Sequence, residues 1–191
     1  MKPKLYILPG WGERLTDKNY QELVKAVEDK YDVVSLKLST RNRKYCLGGP
    51  ELLSKIVIKI KKQIQPNTND VILGFSVGAL WAYLLAVDFN VNLVLCSISP
   101  ILKDDLIAYP PKKVKDFFPK NQLAELKKMK YRLLATKRVT VVYGEKESKQ
   151  LHIRSKKLTK RKGWKLLMVK GVGHEFTGDY LGKVINLLKH I

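Results

Sequence analysis

The sequence predicts a three-layer α/β/α sandwich built on a mostly parallel sheet of about six strands. Short β-like runs alternate with amphipathic helices along most of the chain, one helix is apolar on every side, and 45% of the 191 residues are apolar. Strands that alternate with helices pair in parallel, with the helices covering the sheet faces. The length suits one continuous core, so the expectation is a single domain over residues 1–191, with 101–137 as a lid or insertion.

The first strands are read at Leu5 to Leu8, Val33 to Leu38 and Val71 to Leu73. Between the first two, Tyr20, Leu23, Val24 and Val27 follow helical spacing, with Thr16 or Asp17 available as an N-cap. The next helix is placed from about Pro50, where a first-turn proline fits. It repeats Leu52, Ile56, Ile60 and Ile64 while Lys55, Lys59 and Lys62 face away, and it ends at Pro66 and Asn67. Val77 to Val87 is apolar all round and is the expected central, buried helix. Further strands are expected at Leu93 to Ser97, Val139 to Tyr143 and Trp164 to Val169. A closing helix presents Phe176, Tyr180, Val184 and Leu187. The excursion from Ile101 to Lys137 carries Tyr109-Pro110-Pro111, Phe117-Phe118 and an amphipathic helix from about Asn121 with Leu123, Leu126, Met129 and Leu133, the composition expected of an apolar lid.

A formal net charge of +20 is the strongest compositional anomaly. The lysines are spread over Lys55 to Lys62, Lys112 to Lys130 and Lys156 to Lys170, mostly on polar helix sides, rather than gathered in one Arg-rich, aromatic-studded run. That pattern favours solubility or an acidic protein partner and disfavours nucleic acid. No apolar run reaches the roughly 20 residues of a membrane span, and Lys4 to Leu8 is too short for a signal-peptide core. Cys46 and Cys96 are too few for a disulfide framework or a metal cluster, which makes a cytoplasmic setting the simplest expectation.

Chemistry concentrates at Gly74-Phe75-Ser76-Val77-Gly78, a G-x-S-x-G pattern directly after a strand and directly before the buried helix. A serine at such a tight turn projects its hydroxyl above the sheet, while Gly74 and Gly78 leave room for neighbouring backbone. Serine needs a base, and the chain offers His152, His174 and His190. His174 lies in a glycine-rich loop, Gly171-Val172-Gly173-His174, after the last strand; His152 and His190 read as exposed histidines. The orienting acid is placed after the strand Val139 to Tyr143, with Glu147 chosen over Glu145, and with Asp104 and Asp105 in reserve. Leu8-Pro9-Gly10-Trp11-Gly12 supplies a loop in which Gly10 permits close approach, so the backbone N–H groups of Trp11 and Val77 are the candidate oxyanion hole.

With those motifs in place, the chain from Leu5 to Ile191 resembles the α/β-hydrolase superfamily, in the order Ser76, Glu147, His174. The resemblance implies a reduced α/β-hydrolase fold with a short helical lid, and an acyl-serine intermediate formed without metal or other cofactor. Pro9 to Gly12 and Gly74 to Gly78 are similar to small carboxylesterases, including those that demethylate pimeloyl-acyl-carrier-protein esters. Pro9 stands where many relatives have histidine, and Glu147 where most have aspartate. Ser99-Pro100 also resembles the family and suggests pocket lining. The expected activity is cleavage of a carboxylic ester or thioester, with a carrier-bound acyl ester as one alternative and a non-catalytic module for an acidic partner as another.

Overall fold

Runs of Val, Ile and Leu that are apolar on both sides form strands buried on both faces, which is what a parallel sheet under two helix layers requires. The computed structural model describes residues 1–36, 53–98, 120–128 and 138–191. Among them, β1 (Lys4–Leu8), β2 (Asp32–Ser35), β3 (Val71–Phe75), β4 (Asn92–Cys96), β5 (Val139–Gly144) and β6 (Lys165–Val169) form one sheet in the order β2-β1-β3-β4-β5-β6. Every neighbouring pair is parallel. The helices are α1 (Lys18–Val27), α2 (Leu53–Lys61), α3 (Val77–Leu85), α4 (Lys120–Lys128), α5 (Lys149–Lys162) and α6 (Gly178–His190). The three-layer α/β/α class expected from the sequence is the one observed.

Alternation along the strands divides the core in two. Leu5, Ile7, Val71, Leu73 and Val94 pack with Tyr20 and Leu23 of α1 and with Tyr180 and Val184 of α6. Tyr6, Leu8, Ile72, Leu93, Leu95 and Val141 point the other way, to α2, α3, Leu126 of α4 and Leu158 of α5. The chain leaves β1 toward β2 and returns to place β3 on the opposite side of β1. The carboxyl ends of β1 and β3 therefore flank the switch point at which open α/β sheets present a crevice.

Several boundaries differ from the sequence reading. Asp17 precedes α1 but makes no side-chain cap there; its carboxylate instead accepts the Arg14 N–H at 2.7 Å. α2 ends at Lys61 and unwinds through the Gln63 N–H to Ile60 carbonyl bond, before Pro66 is reached. β6 opens at Lys165, because Gly163 adopts a left-handed φ of 66° that closes α5 and turns Trp164 into the core against Tyr83. Within 101–137, only α4 is described. It buries Gln122 and Leu126, and its Glu125 accepts the Leu53 and Ser54 N–H groups at 2.6 and 3.0 Å, capping the first turn of α2. The lid expectation for the rest of that segment, Pro50, Cys46, Ser99-Pro100, Asp104 and Asp105 lie outside the described residues. No helix among the described residues is long and apolar enough to cross a membrane.

At Gly78, a Cβ would run into the Leu8 carbonyl oxygen and come within 2.5 Å of the Pro9 carbonyl oxygen. Gly78→Ala must therefore push α3 off β1, and is expected to lower stability by about 1–3 kcal/mol, read as a lower urea midpoint at unchanged slope.

Candidate active site

The turn from β3 into α3 is set by two glycines with no room for a side chain. A Cβ on Gly74 would strike the Gly78 carbonyl, just as one on Gly78 would strike the end of β1. The residue between them takes up the resulting backbone distortion. Ser76 has φ 53° and ψ −116°, and its N–H is held by the Cys96 carbonyl at 2.8 Å. A non-glycine residue in this region costs about 1–3 kcal/mol, which surrounding structure must offset. The consequence is geometric: the Ser76 hydroxyl stands at the start of α3, above the carboxyl edge of the sheet.

His174 meets it from the loop between β6 and α6. Its Nε2 lies 2.9 Å from Ser76 Oγ, and its Nδ1 lies 3.2 Å from Glu147 Oε2. With an ionised Glu147 able only to accept, Nδ1 carries the hydrogen and Nε2 is left to accept the serine proton. Phe75, itself against Phe176, lies beside the imidazole, with ring centroids 5.2 Å apart for Phe75 and His174. The Glu147 side chain is 1% exposed while that of His174 is 45% exposed, so the carboxylate is a buried anchor and the imidazole faces the opening.

Two loops interlock to make this possible. Gly144 accepts no side chain, because a Cβ there would come within 2.5 Å of the Gly173 carbonyl oxygen. Lys146 N–H bonds the Val172 carbonyl at 2.8 Å, and Glu145 accepts the Gly171 N–H at 2.9 Å. Glu145, the alternative acid, thus fastens the histidine loop rather than touching the imidazole. His152, read from the sequence as simply exposed, is instead partly buried: its Nε2 lies 3.0 Å from the Gly144 carbonyl and its ring packs on Tyr143. His190 stays exposed, with its Nδ1 2.7 Å from the Asn186 carbonyl oxygen.

On the other side of Ser76, the contact of Gly78 with Leu8 and Pro9 brings the loop after β1 against the start of α3. Gly10 N–H is already engaged, by Glu13 Oε2 at 2.8 Å and Tyr20 Oη at 3.2 Å, and Tyr20 donates to the same carboxylate at 2.6 Å. A Cβ on Gly10 would lie 2.5 Å from Glu13 Oε2. Trp11, the next residue, is 48% exposed at this rim. Val77 is the first residue of α3, so its N–H is among the first-turn donors that have no partner within the helix.

Sequence reasoning missed four participants: Glu13, Tyr20, Ser97 and Tyr180. Ser97, fully buried after β4, has a left-handed φ of 50° and places Oγ 2.5 Å from Glu147 Oε1 and 2.8 Å from Tyr180 Oη. Their only sequence signals were polar atoms set among apolar ones, Ser97 at a strand end and tyrosines on apolar helix faces.

No protein-family model matches the chain, and no curated protein matches its sequence. Solved structures do match. Est1E from Butyrivibrio proteoclasticus, with ferulic acid bound, superposes with a TM-score of 0.70 at 16% identity, over 98% of this chain and 87% of that one. The chain has the α/β-hydrolase fold. Alpha/beta hydrolase domain-containing protein 10 from mouse gives a TM-score of 0.74 at 13% identity, covering 100% of this chain and 89% of its own. NosK from Streptomyces actuosus gives 0.67 at 13%, covering 100% and 97%. In this α/β-hydrolase fold the contacts among Ser76, His174 and Glu147 occur in the chain order Ser, Glu, His associated with the architecture.

The phenols flanking the site carry a pH signature. Burial, before any other cause, raises the Tyr180 and Tyr20 hydroxyls above the usual tyrosine value of 10.0, with the Glu13 charge adding to the shift at Tyr20. Below pH 10 both states keep these protons and stability is unaffected. Above it the unfolded chain loses them while the folded chain does not, so stability falls with rising pH. Urea midpoints measured from pH 8 to 11.5 are expected to decline above about pH 10, less steeply in Tyr180→Phe.

Proposed function

We propose that the protein is a serine hydrolase that cleaves a carboxylic ester or thioester. The observation that carries this reading is the unbroken chain of contacts from Ser76 Oγ through His174 to the buried Glu147, with distances of 2.9 and 3.2 Å. In the reaction, Ser76 Oγ attacks the acyl carbonyl as its proton passes to His174 Nε2, and the imidazolium formed is balanced by Glu147. The tetrahedral oxyanion is received by the N–H groups of Val77 and Trp11, at the positive end of α3. His174 then gives its proton to the departing alcohol or thiol. Water, deprotonated by the same imidazole, attacks the acyl-serine carbonyl and frees Ser76 and the acid.

Glutamate in the acid position fits this role because the turn Gly144 to Glu147 retracts the carboxylate below the histidine loop, where the Gly144 N–H holds Oε1 at 2.7 Å. A carrier-bound acyl ester is an alternative form of substrate that the charge distribution suits. From Ser148 to Lys170 the chain has nine Lys or Arg residues and no Asp or Glu, and this run begins immediately after Glu147. Lys149, Lys156 and Lys160 are exposed on α5, so an acidic carrier would be drawn to the side of the site and released by salt.

Hydrolysis of nitrophenyl esters of increasing acyl length tests the reading. Wild type is expected to turn over with a burst of nitrophenol. Ser76→Ala should lose at least about a thousandfold in kcat, and Glu147→Gln a comparable factor. Equal turnover in Ser76→Ala and wild type would remove the assignment. For a carrier-bound ester, kcat/KM should fall steeply between 50 and 500 mM salt while hydrolysis of the free nitrophenyl ester does not; parallel salt curves would discard the acidic carrier.

A further inference from the structure

A glutamate has one more rotatable bond than an aspartate, so holding its carboxylate on a histidine demands a fixed second oxygen. Glu147 Oε1 is fixed by two donors, the Gly144 N–H at 2.7 Å and the Ser97 hydroxyl at 2.5 Å. An ionised carboxylate offers no hydrogen, so the single Ser97 proton must point to it. Behind Ser97 stands Tyr180, whose one proton has two acceptors in reach: Ser97 Oγ at 2.8 Å and the Val142 carbonyl at 3.0 Å. That carbonyl also receives the Ser97 N–H at 2.8 Å, so Tyr180 Oη stands within hydrogen-bond distance of both the serine oxygen and the carbonyl that holds the serine backbone. All of the side chains involved are buried.

We propose that Ser97, backed by Tyr180, is a positioning residue of the hydrolase: its hydroxyl holds Glu147 in the one rotamer that meets His174. This rests on the serine-hydrolase reading above and deepens it. The backbone of Ser97 points the same way. With φ at 50°, glycine would suit the position better than any L-residue, so a serine there keeps a strained backbone and a buried hydroxyl together. The hydroxyl touches the acid, which ties the strain to the site rather than to packing. The end of β4 thus reaches the catalytic constellation through the acid.

The test separates hydroxyl from backbone. Ser97→Gly relaxes φ and deletes the hydroxyl; Ser97→Ala deletes it and keeps the strain. Both are expected to lower kcat for a nitrophenyl ester by about tenfold to a hundredfold, with KM within about twofold of wild type. Ser97→Gly should keep a urea midpoint close to wild type. In a Glu147→Gln background, either Ser97 substitution should cost little more, because the group it positions is already neutral. Wild-type kcat in Ser97→Gly, a fully additive loss in the double variant, or unfolding of Ser97→Gly would each overturn the proposal. An inert wild-type protein that leaves Ser76 unmodified would instead take down the hydrolase reading itself, and this inference with it.

Discussion

Close packing between β1, β3 and the start of α3 is the constraint on which the site depends. The Gly78 position touches the carbonyls that end β1, and the Gly74 position touches the carbonyl of Gly78. No other residue permits both contacts, since any Cβ would part the helix from the sheet. With helix and strand drawn together, the intervening Ser76 is forced into its strained conformation, and its hydroxyl has nowhere to go but up over the sheet edge. The same approach carries the loop after β1 to the first turn of α3. One packing contact therefore fixes the serine and holds the end of β1 against the first turn of α3.

The second half of the site is organised by a different device. β5 and β6 are neighbours in the sheet, so the turn after one and the loop after the other leave at the same edge and can be stitched together by backbone. The Lys146 N–H on the Val172 carbonyl and the Glu145 N–H on the Val169 carbonyl are the backbone stitches, the Glu145 carboxylate adds the Gly171 N–H, and Gly144 is the place where the loops touch. The imidazole is consequently located by main-chain bonds of two loops before any side-chain contact with Glu147 is counted. A buried carboxylate without donors would carry a desolvation penalty of several kcal/mol; Ser97 and Gly144 remove most of the reason for it.

How much of this was legible in the sequence follows from what each residue needs. Strand and helix order could be read because burial on two faces demands unbroken apolar runs such as Val71 to Leu73, and one-faced helices demand the spacing seen in Tyr20, Leu23 and Val27. Ser76 was legible because its two glycines lie two residues to either side of it in the chain. Ser97 and Tyr180 were not, since the carboxylate they serve is distant in sequence, and a serine at a strand end is an ordinary turn residue until its neighbour is known. His152 was misread for a related reason: its lysine-rich surroundings advertise a solvated face, but the turn of α5 that carries it packs against Tyr143. Glu145 and Glu147 lie two residues apart, and the turn after β5, closed by the Glu147 N–H on the Gly144 carbonyl, decides which of them meets the histidine.

The account stands or falls on whether Ser76 is an activated nucleophile, and covalent capture reads that directly. A fluorophosphonate probe added to the native protein, followed by peptide mass spectrometry, should place one adduct on the peptide containing Ser76, with the labelling abolished in His174→Ala. An unmodified Ser76 in native protein, or labelling no faster than in the His174→Ala variant, would contradict the account and leave the contacts around this serine as architecture alone.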